Sequence, residues 1–131
     1  MGVAVDRVAK TIVLAHAGKT PEHRVAGTTA AYAFVCLPGS RKINLTVAAQ
    51  NLRWSGCQRA ETTELLEVFG IRPGAVSPIG LGDFPVIIVD RGLLSFPTVF
   101  VGSGAIGVDI ELDPRDLVML TKATVCAVAN G

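Results

Sequence analysis

The side chains able to act as ligands, nucleophiles or proton carriers are few in this chain, and most sit in unpromising patterns. His16 and His23 lie in or beside one polar segment, and no group of Cys, His or carboxylate side chains has the spacing of a metal site. Cys36, Cys57 and Cys126 are odd in number, widely spaced and free of any CxxC pair, which points to buried, reduced thiols. Residue order leaves a Ser-His-Asp triad open, yet no GxSxG elbow surrounds any serine. Ser77 precedes Pro78 in a Gly- and Pro-rich stretch, so turn chemistry is its default. The run Gly102-Ser103-Gly104-Ala105-Ile106-Gly107 has the spacing GxGxxG and comes after a strand-like segment. A dinucleotide site would need a helix N-terminus next, whereas the residues after Gly107 alternate like a strand. There Val108, Ile110 and Leu112 alternate with Asp109 and Glu111, so the Asp109 carboxylate faces away from an apolar set on a half-buried strand.

The elements that must position these residues can be read from periodicity and punctuation. Lys10 to Ala15 and Ala30 to Leu37 are rich in β-branched and aromatic residues and read as two strands of a hairpin, joined by the polar segment His16 to Thr29. Leu45, Ala48, Ala49 and Leu52 fall at i, i+3, i+4 and i+7, one stripe of a helix that Asn44 can cap. A second helix is expected from Glu61 to Phe69, with Gly70 as its stop. The passage Gly70 to Pro85 is too punctuated for regular structure and suits a binding loop. Pro85 to Asp90 and Thr98 to Val101 read as buried strands. Asp113-Pro114 starts a helix that runs to about Lys122, and Ala123 to Ala129 closes as a strand. Strands and helices in irregular order favour an α+β domain over a doubly wound sheet.

Composition narrows the function classes. At 131 residues, 50% of them hydrophobic and 18% charged, the chain suits one domain with one core and argues against disorder. The apolar stretches are far shorter than the ~20 residues that span a bilayer. Asp6, Arg7 and Lys10 interrupt any secretory leader, and Met1-Gly2 lacks the Ser or Thr of a myristoylation site. A soluble, cytoplasmic protein without a membrane partner is expected. The net charge of +1 leaves no whole-surface footprint for nucleic acid, so any RNA contact must be local.

Five landmarks in register carry a likeness that no single motif does. Lys10 to Val13 (KTIV), Pro73 to Gly80 (PGAVSPIG), Phe84 to Asp90 (FPVIIVD), Val99 to Gly104 (VFVGSG) and Gly107 to Leu112 (GVDIEL) occur in the order and approximate spacing of the YbaK or prolyl-tRNA-synthetase-associated editing domains. The chain resembles that family over nearly all its length, with a longer His16 to Thr29 connection. The resemblance implies a twisted mixed, barrel-like sheet with flanking helices. It also implies a pocket, needing no cofactor or metal, that releases a mischarged small amino acid from the 3′ end of tRNA, usually cysteine or alanine on tRNA for proline. Aminoacyl-tRNA is then the expected partner, with prolyl-tRNA synthetase as a second. The alternative is a module of the same fold that binds tRNA or a synthetase without turnover, and an unrelated small-molecule enzyme on this fold stays open.

Residue by residue, the resemblance places Lys10 at the family's key lysine, where an ammonium would hold the terminal phosphate or stabilise charge developing on the ester. Gly74, Ala75, Val76, Ser77 and Pro78 match the GGxSP loop that lines the aminoacyl pocket, with Ala75 in place of the second glycine. Gly102, Ser103 and Gly104, with Gly107, match the glycine-rich turn, and Asp109 matches an aspartate that would bind the substrate amine or a hydroxyl. Relatives of the cysteine-clearing type carry basic residues where this chain has Ala105 and Ile106. Met1 falls where the family has already contributed a helix, a strand and part of the pocket wall. A missing strand would leave edges that favour a homo-oligomer.

Overall fold

The two apolar runs near the start of the chain form β1 (Val8–His16) and β2 (Tyr32–Pro38), an antiparallel pair registered from Ala9 against Pro38 to Ala15 against Tyr32. This computed structural model describes residues 5–17, 31–81 and 85–130. The expected connection beyond residue 17, with His23, and the landmark residue Phe84 lie outside the described residues. β2 is buried along its whole length, because elements cover both of its faces. Val35 and Leu37 pack with Leu14, Ile88 and Ala48 on one side. Phe34 and Cys36 turn to the other, Phe34 toward Leu65 and Ile87 and Cys36 toward Val89, Val101 and Leu117. A strand covered twice has no polar alternation, hence the continuous apolar run.

After the short β3 (Lys42–Ile43), α1 (Leu45–Leu52) begins where Asn44 Oδ1 accepts from the Val47 amide at 3.1 Å. Its Ala48 and Ala49 are buried, as the stripe requires. β4 (Cys57–Arg59) then pairs antiparallel with the end of β1. The segment expected as one regular helix from Glu61 to Phe69 is instead α2 (Thr62–Glu64) continued by a wider π-type turn, Leu65–Phe69. Glu61 and Glu64 start it as a reciprocal capping box. Gly70, at φ +69°, stops it, and the Ile71 amide reaches back to the Leu65 carbonyl at 3.1 Å.

β5 (Val86–Asp90) lies parallel to β2, β6 (Val99–Gly102) parallel to β1, and β7 (Asp109–Leu112) antiparallel to β6. α3 (Pro114–Thr121) starts at Asp113, whose carboxylate accepts from the Arg115 amide at 2.9 Å, and buries Leu117. β8 (Thr124–Cys126) completes a mixed sheet of order β7-β6-β1-β2-β5-β8, with β4 also on β1. The architecture is the expected α+β class.

Two strand expectations need correction. Ala123 to Ala129 is not one strand: after β8 the chain turns and β9 (Ala129–Asn130) pairs with β3. The break occurs where the buried Asp90 carboxylate accepts from the Val128 amide at 2.8 Å and the Ala129 amide at 3.1 Å, taking donors a ladder would use. β7 is an edge strand, and Val108 and Ile110 are 53% and 39% exposed, so it is not half-buried. Cys36 and Cys126 are buried free thiols, whereas Cys57 is only half-buried and donates to the Leu45 carbonyl.

Candidate functional site

Two tight turns built by the glycine-containing motifs face each other. In the first, the Ala75 amide donates to the Arg72 carbonyl at 3.0 Å, with Pro73 at the first central position and Gly74, at φ +81°, at the second. That combination is a type II turn, whose second central residue needs positive φ. The second closes alike: the Val108 amide donates to the Ala105 carbonyl at 3.2 Å, with Gly107 at φ +76°. Each motif also carries a serine that stabilises its own loop. Ser77 Oγ accepts from the Ile79 amide at 3.1 Å, and Ser103 Oγ from the Ala105 amide at 3.2 Å. Ser77 is buried, and its oxygen serves the turn rather than a general base.

Contact between the motifs depends on absent side chains. A Cβ on Gly102 would lie 2.7 Å from the Val76 carbonyl oxygen, closer than carbon and oxygen approach without bonding. A Cβ on Gly104 would meet that of Ser77 at 3.9 Å, and one on Gly74 would meet the Ile106 side chain at 4.0 Å. The Gly74 to Pro78 loop is therefore seated on the turn after β6. A cavity of about 440 Å³ opens between them, a normal size for a small-molecule site. Ala75, Ser77 and Gly104 line it from the two motifs. Gly70, Ile71, Ile79, Leu81 and Ile106 supply the rest of a wall that mixes polar and apolar surface, and Arg72 is the one charged residue among the described lining residues.

Sheet register places the two remaining candidates. Ala9 pairs with Val101 and Gly102 with Asp109, so Gly102 is flanked by Lys10, one step further along β1, and by Asp109 on β7. The strand spacing sets Lys10 and Asp109 about 10 Å apart across Gly102. Lys10 is half-buried, Asp109 is exposed, and no ion pair joins them. Neither lines the cavity; both stand beside the glycine on which its loop rests.

Of the expected site residues, Ala75, Ser77 and Gly104 thus form wall, while Gly74, Val76, Pro78, Gly102 and Ser103 shape or seat it. Sequence reasoning missed Ile71, Arg72, Ile79 and Leu81. Their signal was proximity, since all lie within a few residues of the PGAVSP motif. Among the described residues no group of three or more potential metal ligands assembles, and no helix is long and apolar enough to cross a membrane.

A pocket between two glycine-containing turns beside a mixed sheet, with no nucleophile beside a base among its described lining residues, is the candidate site of this α+β domain. The model of the aminoacyl-tRNA editing domain family matches residues 1–120, and the chain belongs to that family. It is 29% identical over 117 residues to the uncharacterized protein YwhH of Bacillus subtilis (strain 168), covering 89% of this chain and 67% of that protein. The crystal structure of hypothetical protein APE2540 is similar with a TM-score of 0.81 at 26% identity, over 98% of this chain and 77% of that one. A candidate trans-editing enzyme for prolyl tRNA synthetase shares the fold with a TM-score of 0.80 at 21% identity, over 98% of this chain and 73% of that one. The family read from the five landmarks and the mixed-sheet fold it implied are both borne out.

Proposed function

We propose that this chain hydrolyses the ester of mischarged aminoacyl-tRNA, freeing a small amino acid such as cysteine or alanine from the 3′ end of tRNA for proline. The observation that carries the reading is the seating of the Gly74 to Pro78 loop on the Gly102 to Gly104 turn around a cavity of about 440 Å³. Water attacks the ester carbonyl, the carbon–oxygen bond to the terminal ribose breaks, and the ribose hydroxyl leaves with a proton. Backbone amides stabilise the negative charge that develops on the carbonyl oxygen, with the Lys10 ammonium as the nearby cation and Asp109 as a partner for the substrate amine. A separate pocket of this kind has a physical reason to exist. One methylene separates similar amino acids by only about 1–3 kcal/mol in a synthetase site, so a second, smaller sieve raises accuracy.

The test is a panel of tRNA for proline charged with cysteine, alanine or proline, with release of the amino acid measured over time. The wild type should clear at least one small amino acid and spare proline. Lys10→Ala should lose most of that rate and Asp109→Asn part of it. No deacylation of any substrate, or unchanged rates in Lys10→Ala, overturns the proposal. Tight tRNA binding without release would establish a binding module instead, and co-sedimentation with prolyl-tRNA synthetase would identify its second partner.

A further inference from the structure

Among the described residues lining the cavity Arg72 is the only charged one, and it is exposed at the rim rather than folded into the protein. Its side chain makes no hydrogen bond or ion pair with the described residues. Two other arginines are committed elsewhere. Arg7 binds the Thr98 carbonyl and Glu111 and lies over the Phe100 ring, and Arg115 pairs with Asp113 at 3.2 Å. The backbone that carries Arg72 is fixed, because its carbonyl closes the type II turn with Ala75. A planar guanidinium carried on a closed turn, beside a pocket with no other charged residue among its described lining residues, suits a phosphate oxygen pair.

Resting on the editing reading above, we propose that Arg72 is a substrate-binding residue for the nucleotide part of the ligand. It takes the 5′-phosphate of the terminal adenosine while the aminoacyl end occupies the cavity. In this arrangement Ala75, Ser77 and Gly104 meet the amino acid, and Arg72 sets how deep the nucleotide can enter. A local charge of this sort is what a chain of net charge +1 needs in order to bind RNA at one place only.

The experiment compares AMP with adenosine, and measures a single-stranded oligonucleotide ending in CCA over a range of salt. Wild-type protein should prefer AMP to adenosine by about tenfold, the scale of a charge-assisted hydrogen bond. Arg72→Ala should bind the two alike, and its salt slope for the oligonucleotide should fall by about 0.7, one phosphate contact on a single strand. Arg72→Lys should restore the slope but only part of the AMP preference, because a lysine cannot engage two oxygens at once. Melting curves of the variants that overlay the wild type exclude misfolding as the cause. The proposal is overturned if the wild type shows no AMP preference, if Arg72→Ala keeps it, or if Lys10→Ala alone removes it. A protein that binds AMP through Arg72 yet clears no amino acid refutes the deacylase reading and leaves this one standing. Deacylation with an unchanged Arg72→Ala slope does the reverse.

Discussion

Gly102→Ala tests whether the pocket depends on the close approach of two backbones. The added methyl would sit 2.7 Å from the Val76 carbonyl oxygen, with the carbonyl carbon at 3.9 Å. Neither neighbour is the end of a flexible side chain, so relief requires the loop or the strand to move. Restoring an ordinary contact needs a retreat of about 0.7 Å, and forcing an extra carbon into a packed backbone costs about 1–3 kcal/mol. For a domain of this size that lowers the melting temperature by about 4–11 °C. The Val76 segment lies between Ala75 and Ser77, both of which line the cavity, so the same retreat shifts the wall. Misplacement by ~1 Å can cost up to 10²-fold in rate, and Gly102→Ala should lower kcat/KM for mischarged tRNA by at least about tenfold. Two other glycines separate the effects. Among the described residues a Cβ on Gly56 meets only the Ala17 Cβ, at 3.7 Å, so Gly56→Ala should be neutral within about 0.5 kcal/mol. Gly104, at φ +92°, has room for a methyl but not the backbone angle for it, so Gly104→Ala should cost stability by about 1–2 kcal/mol without pushing the loop away. Thermal melts and single-turnover deacylation read the series. If Gly102→Ala matches Gly56→Ala in both, the backbone contact does not hold the pocket.

Three further outcomes are expected of the same structure. Tyr32→Phe removes a buried hydroxyl that donates to Glu64 Oε2 at 2.7 Å. It should cost about 1–3 kcal/mol in denaturant unfolding, and a loss below about 0.5 kcal/mol would show that the carboxylate does not need this donor. Burial pushes the Cys36 thiol up to about 12, with the Thr11 hydroxyl at 3.6 Å offsetting part of that rise. Because the folded value lies above the unfolded one, this stabilisation is complete below about pH 8.5 and is lost as pH rises toward the folded value. Between pH 8 and 11 the wild type should therefore lose melting temperature more steeply than Cys36→Ala, and parallel curves would contradict this. Finally, β7 is an edge strand with Ile110 and Val108 exposed, which favours pairing of two copies along it. Sedimentation should show a homo-oligomer that Ile110→Lys dissociates; a monodisperse wild-type monomer would refute it.

Local signals and distant contacts were unequally legible in the sequence. Asn44 before an apolar stripe and Asp113 before Pro114 are local signals, and both helices begin where those signals lie. The Gly74 and Gly102 motifs were equally legible, since positive φ and close approach restrict the residue at those positions. The row Lys10, Gly102, Asp109 was only partly so: Asp109 pairs with Gly102 across a nearby turn, but Lys10 joins them from a strand about 90 positions earlier, and periodicity carries no register between distant segments. Nor could alternation in Val108 to Leu112 tell whether its apolar side is covered. It establishes which residues share a face, while coverage depends on another element packing there, and among the described residues none does so over Val108 and Ile110. The division of the last strand has the same origin, as the Asp90 carboxylate that captures the amides of Val128 and Ala129 comes from a strand nearly forty residues earlier.

The Gly102 position joins these two kinds of information. Its lack of a side chain is a local fact, and its meaning lies in its partners: the distant Val76 carbonyl above it, the distant Lys10 on one side and the nearby Asp109 on the other. A side chain here would separate the loop that walls the cavity from the strands that bear the charged residues. Pocket shape and charge placement thus share one point of support, and on the proposed deacylase reading these are the two means by which the site would favour a transition state. On the proposed editing reading the same construction also bears on the choice of substrate, because Ala75 and Gly104 line the cavity next to this point of support.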